Sequence, residues 1–379
     1  MISVATGIVS YLSTTVFGGI ALFALVIAVS IPYFSRNIER SDIILLTICL
    51  SSVIISMFLF GFGYRIEGAS AWWRLLVSFP IFLFIGAMTR KVVDENFLNA
   101  FLACLFLELL VAFWEHHSGV RTFFSTTSQP EMMDLPNSDY LYYNRTFGFS
   151  NNSSQLAAKM LFGLVVISFL KYKYRLSKLH YLLYAMIIAG FYINFSRAAL
   201  VASFLSVLVF VYLHGKRYVA LLVASGIAVA PLVLFYVWDT VFEQLNRGRS
   251  QFDWSGRDEI WNFFIEYIDA HLLFGNLGQK VYFVSDGMAN HSHNSYIQIL
   301  STSGLVFTVA IIIYMAYYSI KNGTFLILVP LLAYSVFQYG VFWGASLYDQ
   351  IFWAFALWGA GHALSRQSLP AQRSVSYAH

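Results

Sequence analysis

IILLTICLSSVIISMFLFGF, residues 43–62, carries no charged side chain over a length that, as a helix, crosses a hydrocarbon core of about 30 Å. Runs of this kind recur along nearly the whole chain, and they decide the fold class. Of the 379 residues 59% are hydrophobic and 11% charged, and the mean hydropathy is +0.67. A water-soluble globule of this length does not carry that balance, so the sequence is that of a polytopic membrane protein. Backbone groups in lipid must be satisfied internally, which leaves helices or a closed barrel. The runs contain Gly, Ser and Pro and lack the in/out alternation of barrel strands, so helices are expected. About eleven spans, within a range of roughly 10–12, are expected in one all-α polytopic domain covering residues 1–379.

Outward from residues 43–62, the spans are expected at about Ile8–Phe34, Leu75–Met88, Phe97–Phe113, up to Leu170, Tyr181–Ile193, Leu200–Tyr212, Tyr218–Trp238, up to Tyr318, from Phe325, and, after a turn near Asp349, up to Leu364. The first lacks a basic segment before it and a small-residue cleavage site after it, so it reads as a retained span. Two long polar loops interrupt the series, at residues 114–154 and 239–294. Cys49 and Cys104 both fall inside spans, where they read as small apolar side chains, and no disulfide framework is implied.

Taking alternate connections as cytoplasmic gathers Arg36, Arg40, Arg90, Lys91, Lys171, Lys173, Arg175, Lys178, Lys216, Arg217, Lys321, Arg366 and Arg373 on one side, 13 of the 23 basic residues. Short loops and tails are where the positive-inside rule operates. The C-terminus is then cytoplasmic, and the N-terminus, both long loops and Arg197 lie on the opposite side. Arg65 and Arg74, beside Trp72 and Trp73, read as interfacial anchors. Glu108 and Lys159 fall inside adjacent spans, where an unpaired charge costs at least about 2.5–3.5 kcal/mol. A mutual ion pair is the expected reading, with a role in ion transport as the alternative.

The second loop holds Arg247, Arg249, Arg257, His291 and His293 between two apolar spans. Cationic and titratable groups held against a bilayer suggest chemistry on an anionic, lipid-linked substrate. Ser255 ahead of Gly256-Arg257-Asp258-Glu259 has the form of a helix start, and Gly275 that of a stop. Ile260, Trp261, Phe264, Ile268 and Leu272 recur at helical spacing, which describes an amphipathic helix able to lie in the membrane interface. Arg257 at its beginning would combine a guanidinium with the positive helix terminus, a favourable place for phosphate. His291-Ser292-His293 has no carboxylate or cysteine at ligand spacing, so metal binding is the weaker reading. A general base is one alternative for His293. The other is a polar cap in which Asn294 or Ser295 starts the next span and His293 has no role.

Four stretches then resemble a known family. Arg145-Thr-Phe-Gly148-Phe-Ser-Asn151-Asn-Ser-Ser-Gln-Leu-Ala, Ser196-Arg197-Ala-Ala-Leu, Gly256-Arg257-Asp-Glu-Ile-Trp261, and His293-Asn294-Ser-Tyr-Ile-Gln298 ahead of Gly304-Leu resemble, in this order, the bacterial O-antigen ligase and O-antigen polymerase superfamily. They cover roughly residues 140 to 310. The first departs from the family pattern, with Asn151-Asn152-Ser153 where asparagine-proline-asparagine is usual.

The resemblance implies a GT-C-like glycosyltransferase of the bacterial inner membrane, its site facing the periplasm, with no metal, nucleotide or other cofactor. The donor would be a glycan on undecaprenyl diphosphate, and nucleic acid has no part. By motif match Arg197 and Arg257 would hold the diphosphate and His293 would act at the acceptor hydroxyl. Arg145, Arg247, Arg249, His291 and Arg121 are further candidates. A polymerase would pass the growing chain to the next lipid-linked repeat unit, with a chain-length regulator as a further candidate partner. A ligase would pass finished polysaccharide to the lipid A core. The polymerase is the reading preferred, the ligase its alternative. A polysaccharide or lipid transporter is the remote third, because such proteins concentrate polar groups and broken helices near the midplane.

Overall fold

A computed structural model describes residues 2–36, 38–64, 72–124, 144–174, 176–215, 242, 257–285, 288–338 and 340–358. Six of its helical stretches are long and apolar enough to cross a membrane: Arg40–Gly61, Arg74–Val92, Glu95–His117, Ser153–Lys173, Arg197–His214 and Ser295–Lys321. In chain order the α-helices are α1 (Ile2–Leu12), α2 (Ile20–Arg36), α3 (Arg40–Gly61), α4 (Phe79–Thr89), α5 (Glu95–His117), α6 (Ser153–Lys173), α7 (Lys178–Asn194) and α8 (Arg197–His214). After residue 256 come α9 (Arg257–Ala270), α10 (Ser295–Lys321), α11 (Phe325–Tyr334) and α12 (Leu347–Ala356). The expected span Tyr218–Trp238 and the end of the span reaching Leu364 lie outside the described residues.

Helix α6 is the centre of the bundle. Every residue from Leu156 to Leu170 is buried, as expected of a helix apolar all round, and α5, α7, α8 and α11 pack on it. Helix α3 behaves differently. Ile43, Ile54 and Phe58 are exposed while Leu45, Cys49 and Val53 are buried, so one face is left for lipid.

The single span expected over Ile8–Phe34 is instead two helices. Hydroxyls of Ser13, Thr14 and Thr15 donate back to the carbonyls of Ser10, Tyr11 and Leu12, which competes with helix continuation. The Val16 N–H is taken by the Phe149 carbonyl at 2.8 Å, so the break is docked on the segment before α6. Helix α11 has ten residues, or about 15 Å, half the core thickness. Residues 335–338 and 340–346, which follow, are irregular, and Gly344 packs so closely on α4 that a Cβ on Gly86 would meet its carbonyl. Irregular backbone at this depth is tolerated when protein covers it. A two-stranded hairpin, β1 (Phe283–Ser285) with β2 (Met288–Asn290), was not expected from an all-α reading. It is too short to show alternation.

Helix α9 starts at the expected place but ends at Ala270, before Gly275. Its apolar face is not left for the interface. Ile260, Phe264 and Tyr267 pack with Val281, Phe283 and Ile297. The turns after it enter a break in α10, where Gly304 has φ 74° and ψ 175°. There Leu305 N–H donates to the Leu272 carbonyl at 2.8 Å, and Asn276 and Gly278 N–H groups donate to Ser301 and Thr302 at 2.9 and 2.8 Å. A side chain at Gly304 would collide with the backbone of Leu273 and Phe274.

The pair expected between Glu108 and Lys159 is present. Lys159 Nζ lies 2.9 Å from Glu108 Oε2, both side chains fully buried. Tyr11 also donates to this carboxylate, and Ser150 Oγ does so at 2.7 Å. Two turns along α5, Glu115 accepts backbone N–H groups of Phe123, Phe147 and Gly148 at 3.0, 3.1 and 2.7 Å. Gly148 has φ 59°, and a Cβ there would sit 2.7 Å from Glu108 Cγ. Two buried carboxylates therefore fix the segment Arg145–Ser150.

Removing one partner of a buried pair typically costs about 3–5 kcal/mol, because the other charge stays behind uncompensated. Lys159→Met is expected to lower the thermal unfolding midpoint of purified protein strongly, and Glu108→Gln added to it to recover most of the loss. Equal midpoints for Lys159→Met and wild type would mean that the pair does not hold the bundle. Glu115→Ala strands the N–H groups of Phe123 and Gly148 at about 1–3 kcal/mol each, while Phe147 keeps the Arg121 carbonyl. It is expected to raise hydrogen–deuterium exchange at residues 121–124 and 145–150, while α6 stays protected.

Candidate active site

One end of the bundle collects the motif residues. Helix α7 stops at Asn194, whose buried amide donates to the carbonyls of Thr146 and Ser153 at 3.1 and 2.9 Å. Phe195 then adopts a left-handed conformation, φ 41°, and α8 opens on Arg197 behind Ser196. Arg197 is half-buried at a helix N-terminus, next to the segment carrying Arg145. The first N–H groups of a helix add positive potential there.

Arg257 is the first residue of α9, as the sequence led one to expect. Its neighbour in the motif, Trp261, donates from Nε1 to the Ser292 carbonyl at 2.7 Å. From the other side Gln298 accepts the Ser292 N–H at 3.0 Å and donates to the Val281 carbonyl at 3.1 Å. Ser292 Oγ donates to the Asn294 carbonyl at 2.6 Å. Asn294 Oδ1 accepts the N–H groups of Tyr296 and Ile297 at 2.9 and 3.1 Å, so Asn294 is the N-cap of α10. The capping expectation is thus correct for Asn294. His293 is left-handed, φ 51°, a conformation costing about 1–2 kcal/mol outside glycine, and such strain concentrates at functional sites.

The two histidines face each other with ring centroids 4.3 Å apart. His291 Nδ1 accepts the His293 N–H at 3.1 Å, which places the His291 proton on Nε2. Burial, and then the cationic surroundings of His293, Lys280 and Arg257, hold the His291 pKa down to about 3. Burial and Arg257 lower that of His293 to about 4, against a hydrogen bond with the Gln338 side chain that raises it. Both imidazoles are therefore neutral at neutral pH. Nδ1 of His293 is buried and has no hydrogen-bond partner among the described residues.

Arg257 bears electrostatically on His291 and His293, and together with Arg145 on Tyr334. Tyr334 ends α11. That end is tied to the start of α10 by Ser295 N–H on the Ser335 carbonyl at 2.9 Å and by the Tyr296 hydroxyl on Leu332 at 2.9 Å. Arg145 and Arg257 thus lie within electrostatic reach of Tyr334, and Arg257 within that of both histidines. Arg197 opens α8, which packs on α11. Arg121 belongs to the wall beneath Arg145, because its carbonyl accepts the Phe147 N–H at 3.0 Å, and burial lowers its guanidinium pKa. Arg247 and Arg249 lie outside the described residues. Among the described residues no three His, Cys, Asp or Glu side chains gather as a metal site.

Sequence reading passed over Tyr334, Gln338 and Lys280. Tyr334 is one tyrosine of 24 in the chain and carries no mark of its own. Gln338 had a signal, as a polar residue within the apolar stretch 325–347, and Lys280 is the one lysine of the second loop.

Residues 182–307 match the family model described as O-antigen ligase, a stretch that includes Arg197, Arg257, His291 and His293 and ends before Tyr334. No curated protein matches the chain. With its apolar helices the protein is a multi-pass membrane protein, and over residues 182–307 it is similar to the O-antigen ligase family.

Proposed function

We propose that the protein is an O-antigen polymerase of the bacterial inner membrane, joining a glycan carried on undecaprenyl diphosphate to the next lipid-linked repeat unit at the periplasmic face. What supports this reading is Arg257 at the start of α9, within electrostatic reach of two neutral histidines whose rings lie 4.3 Å apart, with Arg145 and Arg257 both acting on Tyr334. Cations beside a neutral base suit a reaction that releases a diphosphate and takes up one proton.

In the reaction proposed, a hydroxyl oxygen of the acceptor sugar forms a bond to the anomeric carbon of the donor. The bond from that carbon to the diphosphate oxygen breaks on the opposite face, which inverts the configuration. The hydroxyl proton goes to His293 Nδ1, and the electron pair leaves with undecaprenyl diphosphate. Arg257 and Arg197 neutralise the departing oxygens, with helix N-termini behind both. Arg145, and Arg247 and Arg249 from the second loop, are assigned supporting positions around the same anion. The leaving group is already good, so no metal or cofactor enters the proposal. The basic end of the bundle, with Lys91, Lys171, Lys173, Lys178 and Lys321, is assigned to the cytoplasm together with the C-terminus.

The description of the matching family favours a second reading, O-antigen ligase, in which the same donor chemistry delivers polysaccharide to the lipid A core. Acceptor recognition alone separates the two. The lipopolysaccharide of a deletion strain decides between them. A core bearing one repeat unit identifies the polymerase, whereas a bare core with polysaccharide accumulating on undecaprenyl diphosphate identifies the ligase. A wild-type pattern would remove both.

Arg257→Ala is expected to lower kcat/KM of the purified protein by about 10²–10³-fold. Arg257→Lys should recover only part, since an ammonium does not reproduce two parallel hydrogen bonds to phosphate. Full turnover by Arg257→Ala, inserted normally, would overturn the clamp. The pH profile tests the base. His293 must be unprotonated to accept the proton and its pKa is lowered to about 4. On acidification kcat/KM should therefore hold through pH 6.5 and fall only as the pH nears about 4. A limb at pH 6.5 would mean a solvated histidine, or another base.

A further inference from the structure

Trp343 stands beside the histidines and has no part in the reaction proposed above. It lies in the irregular chain between α11 and α12, and its position is fixed from three sides. Its N–H donates to Asp349 Oδ1 at 3.1 Å. Its carbonyl accepts from Lys280 Nζ at 3.1 Å. Before it, Phe342 is buried and left-handed at φ 60°, and after it Gly344 has φ 113°. Among the described residues four side-chain-bearing positions have positive φ: Phe195, Leu277, His293 and Phe342. One of these is His293 itself, Phe195 stands two residues before Arg197, and Phe342 directly precedes Trp343. The same costly backbone device thus sets the clamp, the base and the indole.

The indole is held rigidly yet not covered. It is 39% exposed, its edge meets His291 at 5.7 Å between centroids with the planes at 84°, and Lys280 Nζ lies 4.7 Å from its ring centre. A tryptophan turned to hydrocarbon would not carry an ammonium on its ring, because a cation in lipid is costly. Lys280 also bears on His291, so Lys280, Trp343, His291 and His293 form one continuous wall. A rigid aromatic face with a donor beside it is what a sugar ring needs: its C–H groups lie on the negative π-face and its hydroxyls meet the ammonium.

We propose that Trp343, with Lys280 at its side, is the acceptor-sugar subsite, on which a pyranose ring lies so that its hydroxyl reaches His293. This inference rests on the glycosyl-transfer reading and specifies where its acceptor binds. The diphosphate donor is held elsewhere, by the arginines, so donor and acceptor affinities separate in variants of this wall.

The test is steady-state transfer by the purified full-length protein, with an undecaprenyl-diphosphate-linked glycan as donor and a lipid-linked saccharide as varied acceptor. Trp343→Ala is expected to raise the acceptor KM by about 5–10-fold, the scale of one aromatic contact, and to leave the donor KM in place. Trp343→Phe, which keeps a ring and guards against a folding defect, should recover at least half of the loss, and Lys280→Met should raise the acceptor KM by a smaller factor. An unchanged acceptor KM in Trp343→Ala, or donor and acceptor KM rising together in all three variants, would overturn the subsite while wild-type transfer still upheld the reaction. A wild-type protein that releases no undecaprenyl diphosphate from donor and acceptor would overturn the reaction, and the subsite with it.

Discussion

Glu108 and Glu115 lie on one face of α5, two turns apart, and between them they hold the segment that closes the functional end of the bundle. Glu108 is neutralised by Lys159 from the central helix and also collects Tyr11 and Ser150. Glu115 is solvated by three backbone N–H groups. A carboxylate buried this deeply is costly unless its lone pairs are met, so the segment folds where the oxygens are. Val16 binds Phe149, and Asn194 binds Thr146 and Ser153. The turn after α1, the end of α7 and the segment carrying Arg145 are thus set by one pair of acids. Arg197 follows, because α8 begins three residues after Asn194.

The other half of the site is assembled by a different device. Trp261 and Gln298 grip Ser292 from opposite sides, and Asn294 caps α10, so the turn between β2 and α10 has no freedom to relax its left-handed His293. Burial and Arg257 then keep His293 neutral. A lowered pKa has two consequences with opposite signs for catalysis. As the proposed base, His293 would be unprotonated at neutral pH, but it would be a weaker base than a solvated histidine. A bound diphosphate would offset the field of Arg257 and strengthen the base once the donor is in place.

The sequence showed the helices well and their interruptions poorly. Residues 43–62, 97–113 and 155–170 read as spans because hydropathy measures burial from water, which lipid and protein supply alike. That same equivalence hid the break at Ser13–Gly19, the half-length α11 and the irregular chain around Trp343, because apolar residues in a covered loop have the composition of a span. Pairing of Glu108 with Lys159 was legible, since two opposite charges at bilayer depth have few other solutions. Glu115 was not, because its partners are backbone groups, which have no sequence signature. Arg257 was placed at its helix start by the Gly-Arg-Asp-Glu order. Tyr334 and Gln338 are brought in by the tie between α10 and α11 and Lys280 by its hydrogen bond to the Trp343 carbonyl, tertiary contacts that local pattern does not encode.

Broken helices had been expected of a transporter, and the structure contains them, at Gly304 in α10 and between α11 and α12. Their physical roles here are local. The break at Gly304 receives the turns that follow α9, with Gly275, Gly278 and Gly304 each too close to neighbouring backbone or side chain to bear a Cβ. It therefore joins the helix that begins with Arg257 to the helix capped by Asn294, and fixes the spacing between guanidinium and imidazole. The irregular chain after α11 carries Gln338 to His293 and Trp343 to His291. In an alternating-access device such interruptions would allow two arrangements of the same helices. Here each is filled by a neighbouring segment of the chain and locked by backbone hydrogen bonds, which suits a reaction that depends on preorganised charge more than a cycle that depends on movement.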